Sequence, residues 1–251
     1  MFYVLAKVDR GKSSHENEDR ALVCHDIITN GKYEDNIAGD ELFCVLCDGV
    51  GGATRGEVAA EIATHTFSTL FGDKITEERI LRQTELANEN ILRAQRSDID
   101  SSTTSTTIAG LYIKGSDFLA FNAGNSRVCK YRVPYNSQVT TDHTLAEELV
   151  TMGMIDDVNK ADVRQKSTIT RYLGHEPFLA PDIVFAENKA QAGDLFILST
   201  DGFHDFVSNR ELENILKSSD ILNEDVLEKL YQAAIENGSR DNISIILIKV
   251  I

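Results

Sequence analysis

The chain has 251 residues, 42% hydrophobic and 26% charged, with three prolines and no long Ser/Gly-rich run. That composition suits a soluble globular protein with enough apolar material for a sizeable core, read here as one domain over residues 1–251. Forty acids against 25 bases leave a formal net charge of -15, a field that repels nucleic acid and anionic membrane surfaces and argues against both as partners.

In chain order, Phe2 to Val8 reads as a first strand and Leu42 to Cys47 as a strand buried on both faces. A helix follows from Thr54, with Ala59, Ile62, Ala63, Thr66, Phe67 and Leu70 on one face and Gly72 as its stop. A second helix runs from about Thr76 to Arg96, striped by Ile80, Thr84, Ala87, Ile91 and Ala94. Three strands come next, Thr104 to Ile113, Asp117 to Asn122 and Arg127 to Arg132, joined by short Gly-bearing turns. Leu145 to Met152 is a short helix, and Gly153 to Ser167 reads as a polar, irregular surface insertion. Leu195 to Ser199 is a buried strand. Ser208 and Glu211 have capping-box spacing ahead of Leu212, Ile215 and Leu216. A last helix over Glu224 to Glu236 stops at Asn237-Gly238, and Ile243 to Val250 closes as a strand. Strand runs outnumber a β-α-β alternation and the helices come in pairs, which indicates an α+β layered domain.

Cys44 and Cys47 have C-x-x-C spacing, but residues three apart on a strand face opposite ways, so buried core thiols are expected rather than a metal or redox pair. The amino-terminal run Met1 to Lys7 lacks a signal-peptide layout, and no apolar stretch approaches the ~20 residues that span a bilayer. A reduced, cytoplasmic protein is expected.

Four acidic points stand beside strands with a turn residue next to them: Glu18-Asp19, Asp48-Gly49, Asp201-Gly202 and Asp241-Asn242. Carboxylates at strand ends can gather a hard divalent cation from distant segments, and glycine allows close backbone approach, so the Gly49 carbonyl is also a candidate ligand. Each Asp-Gly alone is equally a common turn. The ordered set is more specific. Asn17-Glu18-Asp19, Asp48-Gly49-Val50-Gly51-Gly52, Gly124-Asn125-Ser126-Arg127, Ile169 to Gly174, Ser199-Thr200-Asp201-Gly202 and Arg240-Asp241-Asn242 resemble the motifs of the protein phosphatase 2C-like (PPM) serine/threonine phosphatases, in their short bacterial form.

That resemblance covers about Ala6 to Val250 and implies a four-layer α-β-β-α sandwich, two antiparallel sheets flanked by helices, with metals at one end. It implies catalysis through Asp48, Asp201 and Asp241, with Glu18, Asp19, Asp48, Gly49, Asp201 and Asp241 holding two Mn²⁺ or Mg²⁺ ions. Asp48 would bridge the ions and Asn242 would orient Asp241. The substrates implied are phosphoserine and phosphothreonine proteins, those of a cognate Ser/Thr kinase. Two such ions can lower the pKa of a shared water enough for in-line attack on phosphorus. Residues of about 145–170 would form the family's flap beside the site.

Three positions depart from the family pattern. Val50 stands where many members carry a histidine. Ser14 stands where a phosphate-gripping arginine is usual, with Lys12 the candidate substitute. Asn125 replaces an aspartate that helps hold a third ion, so a third metal is expected to be weak or absent. Ser14 and Asn125 motivate an alternative, a catalytically impaired pseudophosphatase that binds phosphoproteins or scaffolds a complex. Gly11-Lys12-Ser13 lacks both the glycine at position 6 and the following helix of a P-loop. No pair of histidines has zinc-hydrolase spacing; His65 is expected as half-buried packing and His204 as packing beside the site.

Overall fold

The computed structural model describes the chain except for residues 51–54, 73, 98–102, 186–187 and 220–221 and the side chain at 160. In chain order the strands are β1 (Phe2–Asp9), β2 (Arg20–Val23), β3 (Asp26–Ile28), β4 (Gly31–Ile37), β5 (Glu41–Cys47), β6 (Gly49–Val50) and β7 (Ser105–Thr106). They continue as β8 (Ile108–Lys114), β9 (Asp117–Ala123), β10 (Arg127–Arg132), β11 (Tyr135–Gln138), β12 (Asp182–Phe185), β13 (Leu195–Ser199) and β14 (Ile243–Val250). The helices are α1 (Gly56–Ser68), α2 (Glu77–Ser97), α3 (Leu145–Thr151), α4 (Val163–Ser167), α5 (Asp201–His204), α6 (Asn209–Lys217) and α7 (Glu224–Glu236).

Among the described residues these strands make two six-stranded sheets, ordered β11-β10-β13-β14-β1-β4 and β12-β9-β8-β5-β2-β3, and a small β6-β7 ribbon. The pairings within both large sheets are antiparallel. The first and last long strands pair along their whole length, from Phe2 opposite Val250 to Asp9 opposite Ile243.

Strand alternation builds the layers. On β5, Leu42, Cys44 and Leu46 face the other sheet, where they meet Val4, Ala6, Phe196, Leu198 and Ile246. Phe43, Val45 and Cys47 face outward onto α1 and α2, against Ala59, Ala63, Phe67 and Ile91. On the far side Leu5, Ile197, Ile245 and Leu247 pack under Leu212, Leu216, Leu227 and Leu230 of α6 and α7. Helix pair, sheet, sheet, helix pair is the four-layer α-β-β-α sandwich. The alternation also separates Cys44 from Cys47, and all four cysteines are free.

Large side chains set the spacing of the layers. Phe43, Phe67 and Phe121 stack with centroids 5.5–6.3 Å apart. Each is fully buried and contributes about 1.5–3 kcal/mol through removal from water. Gly110 on β8 gives Phe121 its place, since a Cβ there would overlap the ring.

Several elements differ from the sequence reading. Residues 20–37 hold three strands that do not stand out, β2 because it is four residues long and β3 and β4 because of their polar positions, and edge strand β12 is only half-buried. The strand expected over Thr104 to Ile113 divides at Thr107, because Ser105–Thr106 leaves the sheet to pair with Gly49–Val50. The stretch Gly153 to Ser167 is not wholly irregular: a 3-10 turn at Val158–Lys160 leads to α4, closed by an Asp162–Gln165 capping box. Ser208 caps α6 by accepting from the Glu211 backbone, but the Glu211 carboxylate accepts from Asn237 instead of completing the box. His65 is exposed on α1 rather than half-buried. Thr54, Gly51 and Gly52 lie outside the described residues.

Candidate active site

Strand register brings the four acidic points to one end of the sandwich. Arg20 lies opposite Cys47, so Asp19 before β2 and Asp48 after β5 emerge side by side from one sheet. In the other sheet Ser199 lies opposite Ile245, so Asp201 after β13 and Asp241 before β14 emerge together. Side-chain contacts join the sheets at this end, among them two beside the acids. The Thr200 hydroxyl donates to Asp19 Oδ2 (3.1 Å), and the Glu18 backbone N–H donates to Asn242 Oδ1 (2.8 Å).

Each acid is held by its surroundings. The Asp48 backbone N–H donates to Thr107 Oγ1 (3.2 Å), while its carbonyl accepts from the Thr107 N–H and the Thr106 hydroxyl (both 2.9 Å). The Glu18 carboxylate accepts from the Gly56 N–H (2.7 Å) at the start of α1, where the helix dipole favours negative charge. Asp201 Oδ2 accepts from Asn125 Nδ2 (2.9 Å). Asp241 Oδ1 accepts from the Asn242 backbone N–H (2.8 Å), and the Asn242 amide donates to the Arg10 and Glu16 carbonyls (2.9 and 3.0 Å). Asn242 therefore moors the 10–18 loop, and its main chain, not its side chain, contacts Asp241.

Glycine makes the convergence possible. A Cβ on Gly202 would overlap the Asn242 carbonyl, and one on Gly49 would overlap that of Gly56. Gly11, with φ +70°, would likewise strike the Asp241 carbonyl.

Electrostatically this end is strained toward proton uptake. Asp48 is pushed well above the usual carboxylate range by burial and then by the negative charges of Asp19, Asp201, Asp241 and Glu18. Asp19, fully buried, is pushed up to about 7, and Asp201 to about 6, again by burial first and neighbouring carboxylates after it. Glu18 is raised mainly by burial. Asp19 Oδ1 and Asn125 Oδ1 are buried with no hydrogen-bond partner. Among the described residues no three His, Cys, Asp or Glu side chains form a ready-closed metal cage. The acids meet at one end without closing on one point, as mutual repulsion dictates.

The remaining sequence candidates separate. Asn125 contacts Asp201 directly, a closer role than the sequence suggested. Lys12 is exposed on the 10–18 loop with no side-chain partner among the described residues, and the Ser14 hydroxyl reaches the Arg240 carbonyl at 3.5 Å. His204 packs on Ser199 (2.9 Å) and is pushed well below the usual histidine range by burial and by Arg127. Thr106, Thr107, Thr200 and Gly56 were not singled out from sequence. Thr200 alone carried a signal, as the hydroxyl residue beside Asp201 at a helix start.

A family model described as Protein phosphatase 2C matches residues 13–237. The serine/threonine phosphatase Stp of Listeria monocytogenes is 28% identical over 250 residues, covering 97% of this chain and 94% of that protein. Protein phosphatase PhpP of Streptococcus pneumoniae is 28% identical over 221 residues, covering 86% and 88%. The solved serine/threonine phosphatase of S. agalactiae superposes with a TM-score of 0.86 at 25% identity, covering 100% of both chains.

Proposed function

The chain belongs to the protein phosphatase 2C family and is a serine/threonine phosphoprotein phosphatase, and we propose that it hydrolyses its phosphoesters at the acidic end of the sandwich with two Mn²⁺ or Mg²⁺ ions. The observation that carries the proposal is the arrival of Glu18, Asp19, Asp48, Asp201 and Asp241 at one end from different strands, with Asp19 Oδ1 buried and unpartnered. An all-oxygen donor set with surplus negative charge fits hard divalent cations. Such ions, when bound, supply Lewis-acid activation of a water and neutralise charge on the phosphoryl group.

The ligand roles follow from what each residue can present. Asp48, which feels the charge of all four other acids, would hold the ions together with Asp201 and Asp241 from adjacent strands. Gly49, buried and free of a side chain, offers its carbonyl beside Asp48. Thr106 and Thr107 fix the Asp48 backbone so that its carboxylate need not be reoriented during reaction. Asn125 occupies one Asp201 oxygen with an amide N–H, which disfavours a third ion there. Val50 offers no proton, so the departing alcohol takes one from water. Lys12 and the 10–18 loop are the candidate phosphate contact, and the helical stretch within 145–170 serves as the flap of this one domain.

Among the described residues no helix is long and apolar enough to cross a membrane, and the reading takes as substrates phosphoserine and phosphothreonine proteins of a cognate Ser/Thr kinase in the cytoplasm. The test is Mn²⁺-dependent release of phosphate from a phosphothreonine peptide. Chelator should abolish it and Asp201→Asn should lower it by at least about 100-fold. Turnover that survives both would overturn the proposal, and binding without turnover would mark a pseudophosphatase.

A further inference from the structure

Beside Asp201, and separate from the acids proposed to hold metal, lies a cavity of about 410 Å³. Asn125, Arg127 and Asp142 line its inner wall, the end of α5 contributes His204 and the residue after it Asp205, and the 145–170 stretch covers it with Glu147 and Lys166. Its charges are unevenly spent. Arg127 is consumed by Asp142, which accepts from Nε at 3.0 Å and from Nη2 at 2.6 Å. Asp142 also accepts from Gln138 (2.7 Å). Glu147 makes no side-chain hydrogen bond among the described residues, and Asp205, its side chain 58% exposed at the cavity mouth, has Oδ1 4.0 Å from His204 Nε2, beyond hydrogen-bond reach, so both can accept from a new donor.

Two buried polar atoms in the wall are also unsatisfied. Asn125 is 5% exposed and its Oδ1 accepts from nothing; the His204 side chain is 9% exposed and its Nε2 is unpartnered. A buried acceptor left without a donor is costly, so it marks a place where a donor fits. Arg127 and Lys166 against Asp142, Glu147 and Asp205 leave the cavity one negative charge, before Asp201 next door is counted. Burial first of all raises both the Glu147 and the Asp205 carboxyls, against the pull of Arg127 on each and of Lys166 on Asp205.

We propose that this cavity is a specificity subsite that receives the guanidinium of an arginine flanking the phosphoresidue, with Glu147, Asp205 and Asn125 Oδ1 as its acceptors. The planar fork of arginine presents five N–H donors and matches a pocket of two carboxylates and an amide oxygen better than a compact ammonium does. Asn125 couples the two sites, because its Nδ2 holds Asp201 while its Oδ1 faces the arginine. The overall charge of -15 helps draw basic peptides in, but a general field favours arginine at every position, whereas a built pocket favours one.

The subsite rests on the phosphatase reading for its substrate, so the experiment separates the two. Phosphothreonine peptides of one neutral sequence, carrying arginine in turn at each flanking position or alanine throughout, are compared with Mn²⁺ present. At one position arginine should raise kcat/KM about tenfold over alanine, mainly through KM, and Glu147→Gln with Asp205→Asn should bring that ratio to about one. Turnover of the alanine peptide and of para-nitrophenyl phosphate should be unchanged in that variant, and Glu147→Gln alone should give an intermediate ratio. Equal rates for all positions in the wild type, or a preference that survives both substitutions, would overturn the subsite. Should no peptide be turned over, the phosphatase reading fails instead, and calorimetry with the same peptides decides the subsite: tighter binding of one arginine peptide by the wild type alone supports it, equal binding refutes it.

Discussion

Strand β13 begins beside a buried acid and ends beside a half-buried one, and the two are treated in opposite ways. Asp194, 1% exposed, is gripped by Arg132 through both carboxylate oxygens (2.7 Å each) and by Lys130 at 3.1 Å. Burial alone would raise it, yet those cations hold it below the usual carboxylate range. Asp201 has one neutral amide donor and no cation, and it is pushed up to about 6. Across the end of the sandwich Asp19, fully buried, has a hydroxyl donor and one bare oxygen. A protein that pairs an acid so completely at one end of a strand has no general tolerance for unpaired ones. The uncompensated end is therefore specialised for a positively charged visitor.

The strongest way to break that contrast is to neutralise each acid in turn and unfold the chelated protein in urea. Asp194→Asn leaves Arg132 and Lys130 facing a neutral amide. It should cost about 2–3 kcal/mol, below the figure for a fully buried pair because Arg132 is 44% exposed. Asp201→Asn should cost nothing, or raise the midpoint, because it removes repulsion. Equal losses would mean that both ends are structural.

A pH series sharpens the same point. Where folding raises a carboxyl pKa, the folded state takes up a proton more readily than the unfolded chain, so stability is greatest below the unfolded value and is lost as pH rises through the folded one. For Asp19 and Asp201, at about 7 and about 6 when folded, that window runs upward from the ordinary aspartate value near 3.9. In chelator, urea stability should fall by about 2 kcal/mol between roughly pH 5 and roughly pH 8, the solvent at Asp201 limiting the total. Saturating Mn²⁺ should flatten the slope. Asp194 works in the opposite sense, its contribution fading only in acid below the usual carboxylate range. A chelated protein with no loss toward pH 8 would contradict the uncompensated cluster.

Much of this was legible in sequence because the long central strands are uninterrupted apolar runs and the acids stand at their ends. The placing of Cys44 and Cys47 on opposite faces follows from a period of two, whereas the pattern alone gave an α+β layered domain and the four-layer order came with the motif resemblance. The supports were not legible, for a physical reason. Thr107 meets Asp48, and Asn242 meets Glu18, across 59 and 224 positions of chain, and such tertiary pairings leave no local period. Strands β3 and β4 were hidden because Asp26, Lys32, Glu34 and Asp35 break the apolar alternation at the sheet edges, and β2 because it is only four residues long. Asn125 was visible only as a departure from a motif; the bond it makes to Asp201 needed the fold.

That bond supplies the smallest and most discriminating test. Asn125→Asp changes shape little but exchanges a donor to Asp201 Oδ2 for a second carboxylate at the same distance. In chelator the lost hydrogen bond and the new repulsion should cost about 1 kcal/mol of stability. With Mn²⁺ the added carboxylate becomes a ligand, so the loss should vanish and one further ion should bind per protein, counted by metal analysis after dialysis. The gap in melting temperature between chelated and Mn²⁺-loaded protein should therefore widen. A gap equal to that of the wild type would mean that the Asn125 position faces no cation, and the contrast between the two ends of β13 would then rest on Asp19 and Asp48 alone.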